Sequence, residues 1–105
     1  MGKERSNWSR KEELLRQLVS EDAVLVLPHA YQRIEENSFS LDDLLNSLLA
    51  GQIVDAEKDE RKEAFDKKKY TVFGPGMSGN SIESVGKFVK DDDGKLFVLI
   101  TCYES

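Results

Sequence analysis

His29 and Arg33 stand four residues apart in a stretch that reads as helix, so their side chains share one face. A neutral imidazole can take or give a proton near pH 7, and a neighbouring guanidinium can hold a phosphate or another oxyanion in a fixed fork. The same spacing equally suits a histidine that only caps or packs the start of its helix. Thr101 and Tyr103 are two apart in an alternating apolar stretch at the other end of the chain, which sets their hydroxyls on one face of a strand about 7 Å apart. Tyr103 is then a proton donor, a stacking surface, or a packing residue with its hydroxyl at a wet rim. Lys67, Lys68 and Lys69, with Arg61 and Lys62 before them, suit an anionic polymer, or else form a solvated loop that guards a strand edge.

Other groupings carry less chemistry. The run from Gly74 to Gly79 lacks the Gly-Lys-Ser/Thr ending and the following helix of a phosphate-binding loop and reads as a turn. Asp42 and Asp43 sit at a helix start, where the dipole favours them, and Asp91, Asp92 and Asp93 sit in a hairpin turn; neither set resembles a catalytic carboxylate pair. The single cysteine, Cys102, and single histidine cannot make an internal disulfide or a structural zinc site, so no metal and no cofactor is expected.

The elements that must position these residues follow from capping and periodicity. Ser9 and Glu12 have the form of a capping box ahead of Leu15, Leu18 and Val19, which predicts a first helix over Ser9 to Ser20. Ala23 to Leu27 reads as a short strand, and Pro28 suits the start of a second helix running to about Asn37. Ser40 caps a third, in which Leu41, Leu44, Leu45, Leu48 and Leu49 form an apolar stripe and Gly51 marks the end. Strands are expected at Gln52 to Ala56, Lys69 to Phe73, Ile82 to Lys90 and Leu96 to Tyr103, with a charged loop from Glu57 to Lys68 and a hairpin at Asp91 to Gly94. Strict alternation puts Leu96, Val98, Ile100 and Cys102 on one face of the last strand, under the leucine stripe, and Phe97, Leu99, Thr101 and Tyr103 on the other. The fold class is α+β: two or three N-terminal-side helices on an antiparallel sheet of about four strands.

Composition bounds the partners. A chain of 105 residues holds one core, so residues 1–105 are read as a single domain, and its 39% hydrophobic content needs no staple. The net charge of −5 opposes unaided, salt-resistant binding to nucleic acid. The acidity is concentrated in residues 17–57, where Arg33 is the only lysine or arginine, so local phosphate sites outside that stretch stay open. The charged N-terminus and short apolar runs suit neither a signal peptide nor a membrane span, and a cytoplasmic location is expected.

The segments His29 to Ile34, Ser40 to Leu45, Leu49 to Val54 and Val98 to Tyr103, taken in order, resemble the bacterial domain of unknown function 4258 over about Ala23 to Tyr103. The resemblance implies the fold of small ribonuclease toxins of the barnase, colicin and RelE group, with helices on a curved antiparallel sheet, and frequent company of zinc-finger antitoxins. It implies an RNA-cleaving site at His29, Arg33, Thr101 and Tyr103, and sets residues 1–21 apart as an N-terminal helical extension that covers a surface or mediates dimerisation. The chain departs from the pattern at Asn37, where the family commonly has a second arginine, which leaves charge stabilisation to Arg33 or to Lys67, Lys68 and Lys69. The leading expectation is a metal-independent endoribonuclease toxin, with RNA and a cognate antitoxin as partners and its four site residues converging within about 10 Å on a partly exposed cleft. The alternative is a non-catalytic protein-interaction domain; an enzyme for a small metabolite ranks third, for want of a cofactor fingerprint.

Overall fold

The computed structural model describes residues 2–58 and 67–104, with side chains from Trp8 onward; Arg61 and Lys62 lie outside the described residues. The elements are α1 (Gly2–Ser20), β1 (Val24–Val26), α2 (Pro28–Glu36), α3 (Leu41–Ala50), β2 (Gln52–Lys58), β3 (Lys68–Pro75), β4 (Ser81–Asp91) and β5 (Gly94–Glu104). The α+β class is as expected, but the sheet has five strands in the order β1-β5-β4-β3-β2, and it is mixed: β1 runs parallel to β5. Hairpin logic reaches only strands joined by short turns, and β1 meets β5 from the far end of the sequence. No helix among the described residues is long and apolar enough to cross a membrane.

All three helices pack on one face of the sheet, called inner here. That face carries Ile53, Tyr70, Val72, Ile82, Phe88, Phe97, Leu99 and Cys102, each at most 2% exposed. Phe88 stands edge-on to both Tyr70 and Phe97, with the Lys11 ammonium 5.4 Å from its ring centre. From α3 the stripe contributes Leu44 and Leu48, both fully buried, which at ~2 kcal/mol or more apiece fix that helix on β3. Its capping box closes as expected: the Ser40 hydroxyl accepts from the Asp43 amide, and the Asp43 carboxylate accepts from the Ser40 amide. The other Asp43 oxygen takes the Met77 amide at 2.7 Å, tying the β3–β4 loop to the helix start. These backbone donations, Ser40 first and Met77 second, hold the Asp43 carboxyl below its ordinary range.

Three local expectations are corrected. The first helix does not begin at Ser9 but runs through it from Gly2. Glu12 has another use: its carboxylate, only 7% exposed, accepts the Ile53 amide of β2 at 2.7 Å, so α1 seals one sheet edge and buries Leu15 and Leu18. Gly51 does end α3, but with φ −92° and not in a left-handed cap. Third, alternation along β5 breaks. The β4–β5 register slips between Val85 and Gly86, so Leu99 faces Gly86, Thr101 faces Val85, and Ile100 is the extra residue of a bulge. The face under the helices is therefore Phe97, Leu99 and then Cys102, and not Leu96, Val98, Ile100 and Cys102; Val98 is buried too, at 6% exposed, but on the opposite face.

Leu45, half-buried at the margin of α3, is no core residue either. Leu45→Asp should cost about 1–2 kcal/mol and keep a cooperative urea transition. A variant found unfolded in water would return Leu45 to the core.

Candidate functional site

The bulge at Ile100 decides where the β5 hydroxyls go. Before it, odd-numbered residues of β5 enter the core; after it, the even-numbered Cys102 does, which turns Thr101 and Tyr103 to the outer face that no described helix covers. Glu83 of β4 stands opposite Tyr103 in register, and the Tyr103 hydroxyl donates to its Oε2 at 2.5 Å. That donation, then burial and the carboxylate's charge, raises the phenol's pKa above its usual 10.0. Tyr103 therefore keeps its proton and is a poor acid. Glu83 was missed because its partner depends on the bulge.

Alongside β5 lies α2, seated by Ala30, which is fully buried and whose carbonyl accepts from the Cys102 thiol at 3.7 Å. Asn37 fastens the far end of α2. Its amide donates to the Arg33 carbonyl at 2.6 Å, and its side-chain oxygen accepts the Glu104 amide at 3.5 Å. An arginine, which has donors only, could not form both bonds of this clasp.

His29 and Arg33 lie on the exposed side of α2. His29 has no hydrogen-bond partner among the described residues, so it is not the bonded, buried histidine of a purely structural role. Arg33 meets only Glu36, at 3.4 Å, an exposed pair that leaves most guanidinium donors open. Its charge reaches β5: it favours the Cys102 thiolate, although burial dominates and pushes that thiol up to about 11. Cys102 lies between Thr101 and Tyr103 in the chain but faces α2 while they face away from it, so the two pairs stand on neighbouring elements and on opposite faces of the sheet. No hydrogen bond or ion pair among the described residues joins one pair to the other, and none of the described cavities is lined by any of the four. The two faces meet only around the edge of β5 beyond Leu99, where β1 no longer pairs with it, and the described cavities give no cleft joining the two pairs.

Lys67, Lys68 and Lys69 lie elsewhere. Lys68 and Lys69 begin β3, paired with Lys58 and Glu57 of β2, and Lys67 precedes them at φ 58°. They sit two strands from β5 and toward the hairpin end of the sheet, on the order of 15 Å from Tyr103 by strand spacing and rise. Among the described residues no group of three or more His, Cys, Asp or Glu side chains is placed to hold a metal.

The family model described as domain of unknown function (DUF4258) matches residues 26–104. The chain belongs to this family. Within DUF4258 the matched segment takes in α2, α3 and β2 to β5, whereas α1 and the start of β1 precede it. No curated protein and no solved structure matches the chain, so its DUF4258 membership and the geometry above bound the functional reading.

Proposed function

We propose that this DUF4258 protein is a metal-independent endoribonuclease, the toxin of a bacterial toxin–antitoxin pair, acting around the edge of β5 beyond β1, with α2 on one side and Thr101 and Tyr103 on the other. The observation that carries the reading is an exposed, unpartnered imidazole one turn from a guanidinium with open donors, beside a strand that presents Thr101 and Tyr103 away from the core. His29 takes the ribose 2′-hydroxyl proton as the O2′–P bond forms; the P–O5′ bond breaks, and the departing 5′-oxygen takes a proton from water. Arg33 neutralises the non-bridging oxygens of the phosphate. Tyr103, whose proton is committed to Glu83, is a stacking and hydrogen-bonding surface for the nucleotide, and Thr101 orients its neighbour.

Proton abstraction from O2′ leaves a signature. Purified protein with a chelator present should cut single-stranded RNA, free or ribosome-bound, to fragments ending in a 2′,3′-cyclic phosphate. A single 2′-deoxy nucleotide 5′ to the cut should lower cleavage there by at least 10²-fold. Intact RNA in both settings, or equal cutting of the deoxy substrate, would remove this function.

A further inference from the structure

The two edges of the sheet are finished differently. At β2 the edge is blunted by the Glu12 carboxylate on the Ile53 amide, by a bulge at Val54, and by Asp55 and Glu57. At β1 none of these devices is present. Ala23, Leu25 and Leu27 use their backbone groups on β5, as the Phe97 to Ala23 and Leu27 to Leu99 bonds show, so the amides and carbonyls of Val24 and Val26 point away from the sheet. Neither residue has another partner among the described residues.

Beside this open edge lies a groove of about 280 Å³, lined by Val24, Val26, Tyr31, Leu41 and Leu45 with Asp22 at its mouth. Leu25 and Tyr31 are each 49% exposed and Leu41 36%, so large apolar side chains gather where backbone groups are unpaired. An added strand would bond to Val24 and Val26 and send alternate side chains into the groove. The rim selects the occupant. Asp22 lines it, and two exposed acids are close in sequence to its other lining residues, Glu35 one helical turn beyond Tyr31 and Asp42 next to Leu41, whereas Arg33 lies on the other side of α2. Two such acidic rims would repel, which disfavours a second copy of this chain.

We infer that the β1 edge and its groove dock an extended, apolar segment of a partner protein that carries lysine or arginine at its ends. The site is separate from the β5 edge beyond β1 and stands whether or not the protein cleaves RNA.

The test uses the whole chain, labelled with nitrogen-15, and a capped nonapeptide with two lysines at each end and alternating valine and threonine between them. Amide exchange at Val24 and Val26 should slow at least tenfold at saturating peptide. Of two peptides N-methylated at alternate central residues, one should bind at least tenfold more weakly, and glutamates in place of the lysines should weaken binding by a similar factor. Tyr31→Lys, with an unchanged circular dichroism spectrum, should do the same from the protein side; the methylated peptides serve as that test on wild type if the variant fails to fold. Unslowed exchange at Val24 and Val26, or equal binding of the glutamate peptide, would overturn the inference. Exchange that slows with protein concentration in the absence of peptide would also overturn it, by assigning the edge to a second copy.

Discussion

Replacing His29 with alanine should lower RNA cleavage by about 10²- to 10⁴-fold, the range a positioned general base supplies, while leaving the melting temperature within a degree or two of wild type. The two readouts separate because His29 is exposed, makes no bond among the described residues and occupies the first turn of α2, whose seat on β5 is provided by Ala30 and Asn37. Arg33→Ala should cost cleavage with equally little effect on stability, since its exposed pair with Glu36 adds at most a few tenths of a kcal/mol. Arg33→Lys should recover only part, because an ammonium offers a point charge and not a fork. In cells, the wild-type chain expressed alone should arrest growth and the His29→Ala chain should not. Equal growth, with equal amounts of soluble protein, would leave the non-catalytic interaction reading in first place.

What the sequence could reveal of this site follows from how local each determinant is. The helix pair of His29 and Arg33 was legible because an i, i+4 spacing fixes a shared face without help from the rest of the fold. Leucine periodicity, together with Ser40 and Gly51, located α3 to within a residue for the same reason. The β5 hydroxyls were a different matter. Thr101 and Tyr103 do point away from the helices, but strict alternation would place them on the face of Phe97 and Leu99, which is the core. Only the extra residue at Ile100 turns them outward, and nothing in the composition of that apolar run announces a bulge. The same slip sets Glu83 against Tyr103, whereas counting back from the Asp91–Gly94 hairpin without it would pair Glu83 with Cys102. Long-range choices were likewise hidden: that Glu12 leaves a local capping box to serve the β2 edge, and that β1 joins β5 in parallel, depend on tertiary packing and not on neighbours in sequence. Whether the helix pair and the strand pair share a substrate is a question for the His29 and Arg33 variants.

Gly74→Val should destabilise the protein by about 3 kcal/mol or more, the upper end of overpacking costs, which for a domain of this size lowers the melting temperature by on the order of 15 °C. The reason is a crossing of backbones. A Cβ on Gly74 would lie 2.1 Å from the Ser47 carbonyl oxygen and 2.8 Å from the Gly51 Cα, and a Cβ on Gly51 would lie 2.3 Å from that same oxygen. These are main-chain atoms of α3 and its exit, so no side-chain rotation relieves the clash; α3 must lift off β3. It carries Leu44 and Leu48 with it, opening the core that both leucines fill. Backbone conformation is not the cause, since Gly51 has φ −92° and Gly74 is not in the left-handed region. Gly79 supplies the contrast: at φ 88° with no atom within 4 Å of where its Cβ would stand, Gly79→Ala meets conformational strain alone and should cost only about 1–2 kcal/mol. If Gly74→Val melts no lower than Gly79→Ala, α3 does not rest on β3 through this glycine pair, and the close helix–strand contact that orders this side of the sheet must be redrawn.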